Sequence, residues 1–110
     1  QALPVTVFDE IDSGVGGLTA LKMAEQIAAV AVGRQVLCVT HLPQIACMAD
    51  RQLVIEKKTA AGSTVTTVHP VSGDARVQEV VRMIAGEQSS AAAAEAAREM
   101  LQEAEAKKGR

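Results

Sequence analysis

Two short runs of apolar and β-branched residues constrain this chain more than any other feature. They are Val5-Thr6-Val7-Phe8 and Gln35-Val36-Leu37-Cys38-Val39-Thr40, and they flank a stretch with helical periodicity. Runs of this kind, with little polar alternation, suit strands covered on both faces. Between them, residues 18 to about 32 read as a helix, with an inner stripe of Leu21, Ala24, Ala28 and Ala31, or of Leu18, Leu21 and Ile27. Gly33 supplies the stop. Strand, helix and strand at this spacing form a βαβ unit, which implies a parallel pair with a right-handed crossover.

The rest of the chain continues without a domain boundary. Pro43 fits the first turn of a short helix that runs to about Ala49. Residues 52–58 and 63–69 read as strands of a hairpin around Ala60-Ala61-Gly62. Asp74 is placed to cap a helix with the stripe Val77, Val80, Val81 and Ile84, which Gly86 ends. Ser89 or Ser90 caps a last helix, with Ala93, Ala97, Met100, Leu101 and Ala104 on one face. The Ala run from 91 to 94 is read as helix and not linker, because Ala is the best helix former.

Composition removes several functions. Aromatic residues make up 1% of the 110, so the core is aliphatic around a single Phe8 and no base-stacking platform exists. The net charge of −2 is wrong for an electrostatic trap for DNA. The tail Lys107-Lys108-Gly109-Arg110 is basic but short, and reads as solvated. Cys38 and Cys47 have no CxxC or Cys/His spacing, so zinc is not expected, and two isolated cysteines suit a reducing cytoplasm. No signal peptide is visible and no apolar run reaches membrane-spanning length. Gln1 leads almost directly into the first strand, so the chain reads as cut from something longer.

The first strand runs into Asp9-Glu10, and this is where chemistry enters. An apolar strand ending in an acidic pair is the Walker B pattern. It ends at the C-terminal edge of a parallel sheet, where ligands of open α/β sheets bind. There Asp9 can hold Mg²⁺, through water, since Mg²⁺ takes oxygen ligands and keeps part of its shell. Glu10 can act as a general base toward the attacking water. The plainer alternative is a strand ending in two solvated acids. His41 follows the second strand at the same edge, where it can contact a γ-phosphate, or simply cap the next helix. Asp12-Ser13-Gly14-Val15-Gly16-Gly17 is either an ordinary strand-to-helix turn or a loop passing across to a second subunit.

Taken together, Phe8-Asp9-Glu10-Ile11-Asp12-Ser13-Gly14-Val15-Gly16-Gly17 and Val36-Leu37-Cys38-Val39-Thr40-His41-Leu42-Pro43-Gln44-Ile45-Ala46 closely resemble the RecN family. These are bacterial DNA-break repair ATPases of the SMC/ABC type. The likeness extends to the hairpin after Asp50-Arg51 and to Val80-Val81-Arg82-Met83-Ile84-Ala85-Gly86. An ABC transporter would more typically read Asp-Glu-Pro-Thr, and an SMC protein would keep an Asp in place of Gly16.

The resemblance implies an α/β fold: the C-terminal part of a P-loop ABC/SMC-type ATPase head, residues 1–110, with a parallel βαβ core, a β-hairpin and two C-terminal helices. It implies that Asp9 is the Walker B aspartate and metal ligand, Glu10 the catalytic glutamate and His41 the switch histidine. Ser13 to Gly16 would be the D-loop at a dimer interface. Asp9, Ser13, Gly14, Gly16 and Gln44 would lie on the nucleotide side, although no physical role for Gln44 emerges from the residues. ATP, Mg²⁺, a homodimer through the head, and action on DNA with recombination proteins in the bacterial cytoplasm, at the nucleoid, are implied with them.

The sequence also lacks parts. It holds no Gly-x-x-x-x-Gly-Lys-Ser/Thr loop, no Ser-Gly-Gly signature and no coiled-coil arms. Without the backbone donors and lysine of a phosphate loop, the chain alone is expected to be inactive and to bind ATP poorly. Its strand 5–8 should expose an apolar edge through which the chain dimerises. Two other readings remain open: a non-catalytic regulatory or interaction module of the same fold, and a segment of another SMC-type ATPase.

Overall fold

The computed structural model describes residues 5–9 and 17–109, apart from the side chains of Asp9 and Gly17. Eight elements follow in order: β1 (Val5–Asp9), α1 (Gly17–Val30), β2 (Gln35–Val39), α2 (Pro43–Met48), β3 (Gln52–Ala60), β4 (Ser63–Val71), α3 (Gly73–Ala85) and α4 (Ala91–Lys108). The pair β1–β2 is parallel and the pair β3–β4 antiparallel, forming two separate two-stranded sheets. The parallel unit, the hairpin and the closing helices are all as the sequence implies.

Local chemistry accounts for the boundaries. The hairpin turns on Ala61 and Gly62, with φ of 50° and 79°, and pairs Ala60 with Ser63. Positive φ at both loop positions gives the turn that matches the twist of the flanking strands. The Ser90 hydroxyl accepts from the Ala93 amide at 3.1 Å and so caps α4. Gly86 closes α3 with φ 63°. Asp74 does not cap α3: the cap position is Ser72, without a side-chain bond, and Asp74 lies in the first turn. There its negative charge still faces the positive end of the helix dipole.

The core lies among the helices. Val80 and Val81 of α3, Ala93, Ala97 and Ala104 of α4, Ile45, Cys47 and Met48 of α2 and Ala24 of α1 form one buried cluster. The small Ala side chains of α4 allow close helix approach, which compensates for the missing aromatics. In α1 the buried stripe is Ala20 and Ala24, while Leu18 stands 72% exposed. That corrects the alternative stripe through Leu18.

Coverage of the parallel pair differs from expectation. Thr6, Phe8, Val36 and Cys38 are half-buried on the face toward α1, where Phe8 shares a groove with Met23, Ile27 and Val30. The opposite face carries Val5, Val7, Leu37 and Val39, all exposed. Continuous apolar runs are compatible with cover on both faces, but the helices described here lie on one.

Within the basic tail, Lys107 and Lys108 are paired and not simply solvated. Helix α4 continues through Lys108, whose ammonium lies 3.2 Å from the Asp50 carboxylate and 3.0 Å from that of Glu105. Lys107 reaches Glu25 at 4.0 Å. The negative end of α2 and the carboxylates beside it draw Lys108 inward.

Cys38 and Cys47 are both thiols. Burial pushes the Cys47 thiol up from 9.0 to about 11, with the Arg76 charge pulling weakly the other way. Since the thiolate is the reactive form, Cys47 is expected to resist iodoacetamide at pH 8 until the chain is unfolded. Mass spectrometry after alkylation, with and without denaturant, checks this. The unfolded chain also releases that proton before the folded chain does, so stability is intact below pH 9.0 and falls as pH rises toward about 11.

Candidate functional site

The candidate site forms where the parallel strands end. Register is direct: Val5 faces Gln35, Val7 faces Leu37, Phe8 faces Cys38 and Asp9 faces Val39. Both strands therefore stop at the same level, and the turn carrying His41 begins one residue past β2. The backbone brings the end of β1 and the His41 turn to one edge of the sheet. Glu10, Ser13, Gly14 and Gly16 lie outside the described residues, and of Asp9 only the backbone position is described.

The His41 turn is tied from within. The Thr40 hydroxyl accepts from the Leu42 amide at 3.0 Å, spanning His41. His41 itself is exposed. Pro43 then starts α2, with Leu42 at the cap position in an extended conformation. Pro at the first helical position has no amide to leave unsatisfied. A histidine on this turn is held at the sheet edge by the backbone around it, which suits contact with a ligand arriving there.

Gln44 is placed differently. It shares a helical face with Cys47 and Met48 and lines a cleft of about 280 Å³ with Leu21, Met100, Ala104 and Lys107, between α1, α2 and α4. Its Oε1 is buried and has no hydrogen-bond partner among the described residues. Among those same residues no group of three or more His, Cys, Asp or Glu is arranged to hold a metal. No described helix is long and apolar enough to cross a membrane.

Sequence reasoning missed Arg76. Its Nη2 donates to the carbonyl oxygens of Ala46 at 3.1 Å, Cys47 at 3.3 Å and Ala49 at 2.9 Å, and its Nε donates to Gln52 Oε1 at 3.0 Å. Lys108 Nζ adds a bond to the Ala49 carbonyl at 3.2 Å. Two cations from α3 and α4 thus close the C-terminal end of the helix that follows His41. The only hint in the sequence is that Arg76 precedes the inward-facing Val77 in α3.

No family profile matches the chain. It is 46% identical over 105 residues to the DNA repair protein RecN of Bacillus subtilis, covering 96% of this chain and 18% of that protein. To RecN of Deinococcus radiodurans it is 48% identical over 98 residues, covering 89% of this chain and 17% of that one. The chain therefore spans less than a fifth of the relatives' length. A solved structure from work on ATP-driven dimerization and DNA-stimulated activation of SMC ATPases matches with a TM-score of 0.59. It shares 21% identity and covers 78% of this chain and 50% of its own, which bears on the fold alone. Over about nine-tenths of its length this chain is RecN-like in sequence, and over 78% of it the fold is that of part of an SMC-type ATPase head.

Proposed function

We propose that the full-length protein carrying this chain is a DNA-repair ATPase, and that this segment supplies the hydrolytic half of its nucleotide site. The observation that carries the reading is the parallel register ending at Asp9 and Val39, with the His41 turn immediately beyond, in a chain 37–48% identical to RecN proteins. In this reading Asp9 holds the metal side, Glu10 takes the proton of the attacking water, and His41 donates to the γ-phosphate. Ser13, Gly14 and Gly16 form the loop that meets a second head across a dimer interface. DNA and recombination proteins act through other parts of the full-length protein, in the bacterial cytoplasm.

The donor chemistry suits Mg²⁺. Asp9 offers carboxylate oxygen, and no thiolate or imidazole cluster competes for a softer ion among the described residues. When bound, the ion supplies charge neutralisation on the phosphate oxygens. Asp9 would hold it, through water, and the rest of the shell would come from nucleotide and solvent oxygens. The proteins's own residues do the remainder: Glu10 accepts a proton, and His41 stays oriented by the Thr40 turn. On its own the chain lacks a phosphate loop, so we expect it to be inactive and to bind ATP poorly.

His41→Ala in the full-length protein tests the reading. Turnover of ATP is expected to fall by ~10²-fold, the scale of losing one oriented donor to developing charge, with ATP binding retained. Steady-state hydrolysis and equilibrium nucleotide binding measure the two separately. Unchanged turnover would remove His41 from the site.

A further inference from the structure

We infer that Arg76 and Lys108 are positioning residues for the His41 turn, acting through α2. The inference rests on the reading of His41 as a phosphate contact.

Helix α2 has six residues, Pro43–Met48. A helix so short does not hold itself, because nucleation costs more than its few internal bonds return. Its last carbonyls need outside donors. Here they receive an unusual number. One guanidinium nitrogen of Arg76 meets the oxygens of Ala46, Cys47 and Ala49. The Lys108 ammonium also meets the Ala49 oxygen. Both cations also complement the negative end of the helix dipole.

Neither cation is loosely held. Gln52 Oε1 accepts from Arg76 Nε, and Gln52 is itself buried at the start of β3. The Lys108 side chain is 1% exposed and is flanked by the Asp50 and Glu105 carboxylates. The clamp is therefore fixed to β3, α3 and α4 together.

Across its length α2 is a rigid spacer. Ile45, Ala46, Cys47 and Met48 are all buried. At 1.5 Å per residue the helix is roughly 9 Å long, so the clamp does not touch His41. It sets the angle at which α2 leaves the sheet edge, and the Thr40–Leu42 bond fixes the other end. A tilt at the clamped end moves the histidine turn, and small misplacements of a group at a reacting centre are costly. The planar guanidinium of Arg76 sets Nε on Gln52 and Nη2 on the carbonyls at the same time, which a lysine at that position would not reproduce.

The experiment is a set of variants in the full-length protein, read by kcat and KM for ATP. Arg76→Gln is expected to lower kcat by about 10-fold or more, with KM little changed. Lys108→Gln should lower it less, and Lys108→Arg should restore it. The deciding measurement is the double variant Arg76→Gln/His41→Ala. If Arg76 acts through His41, the double variant is no slower than His41→Ala alone. If the two losses multiply in full, or if Arg76→Gln leaves kcat unchanged, the positioning role is overturned. If His41→Ala itself leaves turnover unchanged, the reading beneath the inference has failed instead. Should Arg76→Gln not fold, the same cycle is run with Lys108→Gln, whose full multiplication with His41→Ala would equally overturn the proposal.

Discussion

Glu10→Gln in the full-length protein is expected to lower ATP turnover by ~10²–10⁴-fold, the range for loss of a positioned general base. The substitution keeps the shape and the hydrogen-bonding reach of the side chain. It removes only the ability to take a proton at neutral pH. ATP binding should therefore persist, since the donors that grip the triphosphate belong to a phosphate loop that this sequence does not contain. Binding without turnover should accumulate the ATP-bound head dimer. Single-turnover hydrolysis measures the chemical step, and sedimentation in the presence of ATP measures the dimer. Unchanged turnover in this variant would sink the assignment of Glu10 as base. Loss of both binding and turnover would point instead to a role in holding the nucleotide. This effect is larger than that expected for His41→Ala, because a base acts on the bond-forming water while a donor to phosphate shares its task with other groups.

Much of this arrangement is legible in the sequence because it is local. The parallel pair follows from two apolar runs and the helical stretch between them. The hairpin follows from Ala61 and Gly62, and the start of α4 from Ser90, whose hydroxyl has one amide within reach. The level at which β1 and β2 end, and hence the edge that carries His41, follows from the same spacing. What the sequence hides is tertiary. Lys108 at the end of a chain reads as solvated, and only the approach of α4 to the end of α2 makes its burial favourable. Arg76 reads as a surface residue of an amphipathic helix, yet its long stem reaches three carbonyls of another helix. Gln44 lies in the stretch that most resembles RecN, but its direction depends on which face of α2 meets α1 and α4. Glu10 and the glycine loop lie outside the described residues, so their part of the site rests on sequence likeness and on the position of β1.

The open face of β1–β2 leads to the second large effect. Val5 is 57% exposed, Val7 59%, Leu37 48% and Val39 41%, and in the parallel register Val7 stands opposite Leu37. They form one contiguous apolar patch on a sheet that has two strands among the described residues. Covering the exposed half of each side chain would be worth about 1 kcal/mol apiece. The edges of so narrow a sheet add a template for pairing. Against this stands the loss of translational and rotational freedom, roughly 4–15 kcal/mol. A dimer covers four such side chains on each of two copies, about 8 kcal/mol in all, which lies within that range, so the association is expected to be weak and visible only at high concentration. The 110-residue chain on its own is thus expected to form dimers, through this patch and its edge, by light scattering. Val7→Lys and Leu37→Lys should each disperse them with the fold retained by circular dichroism, because both side chains already face solvent. Like charges across the patch add repulsion between copies, so the double variant should be monomeric at every concentration tested. A clean monomer for the unsubstituted chain would show that one-sided cover by α1 is enough to keep this sheet apart from its copies.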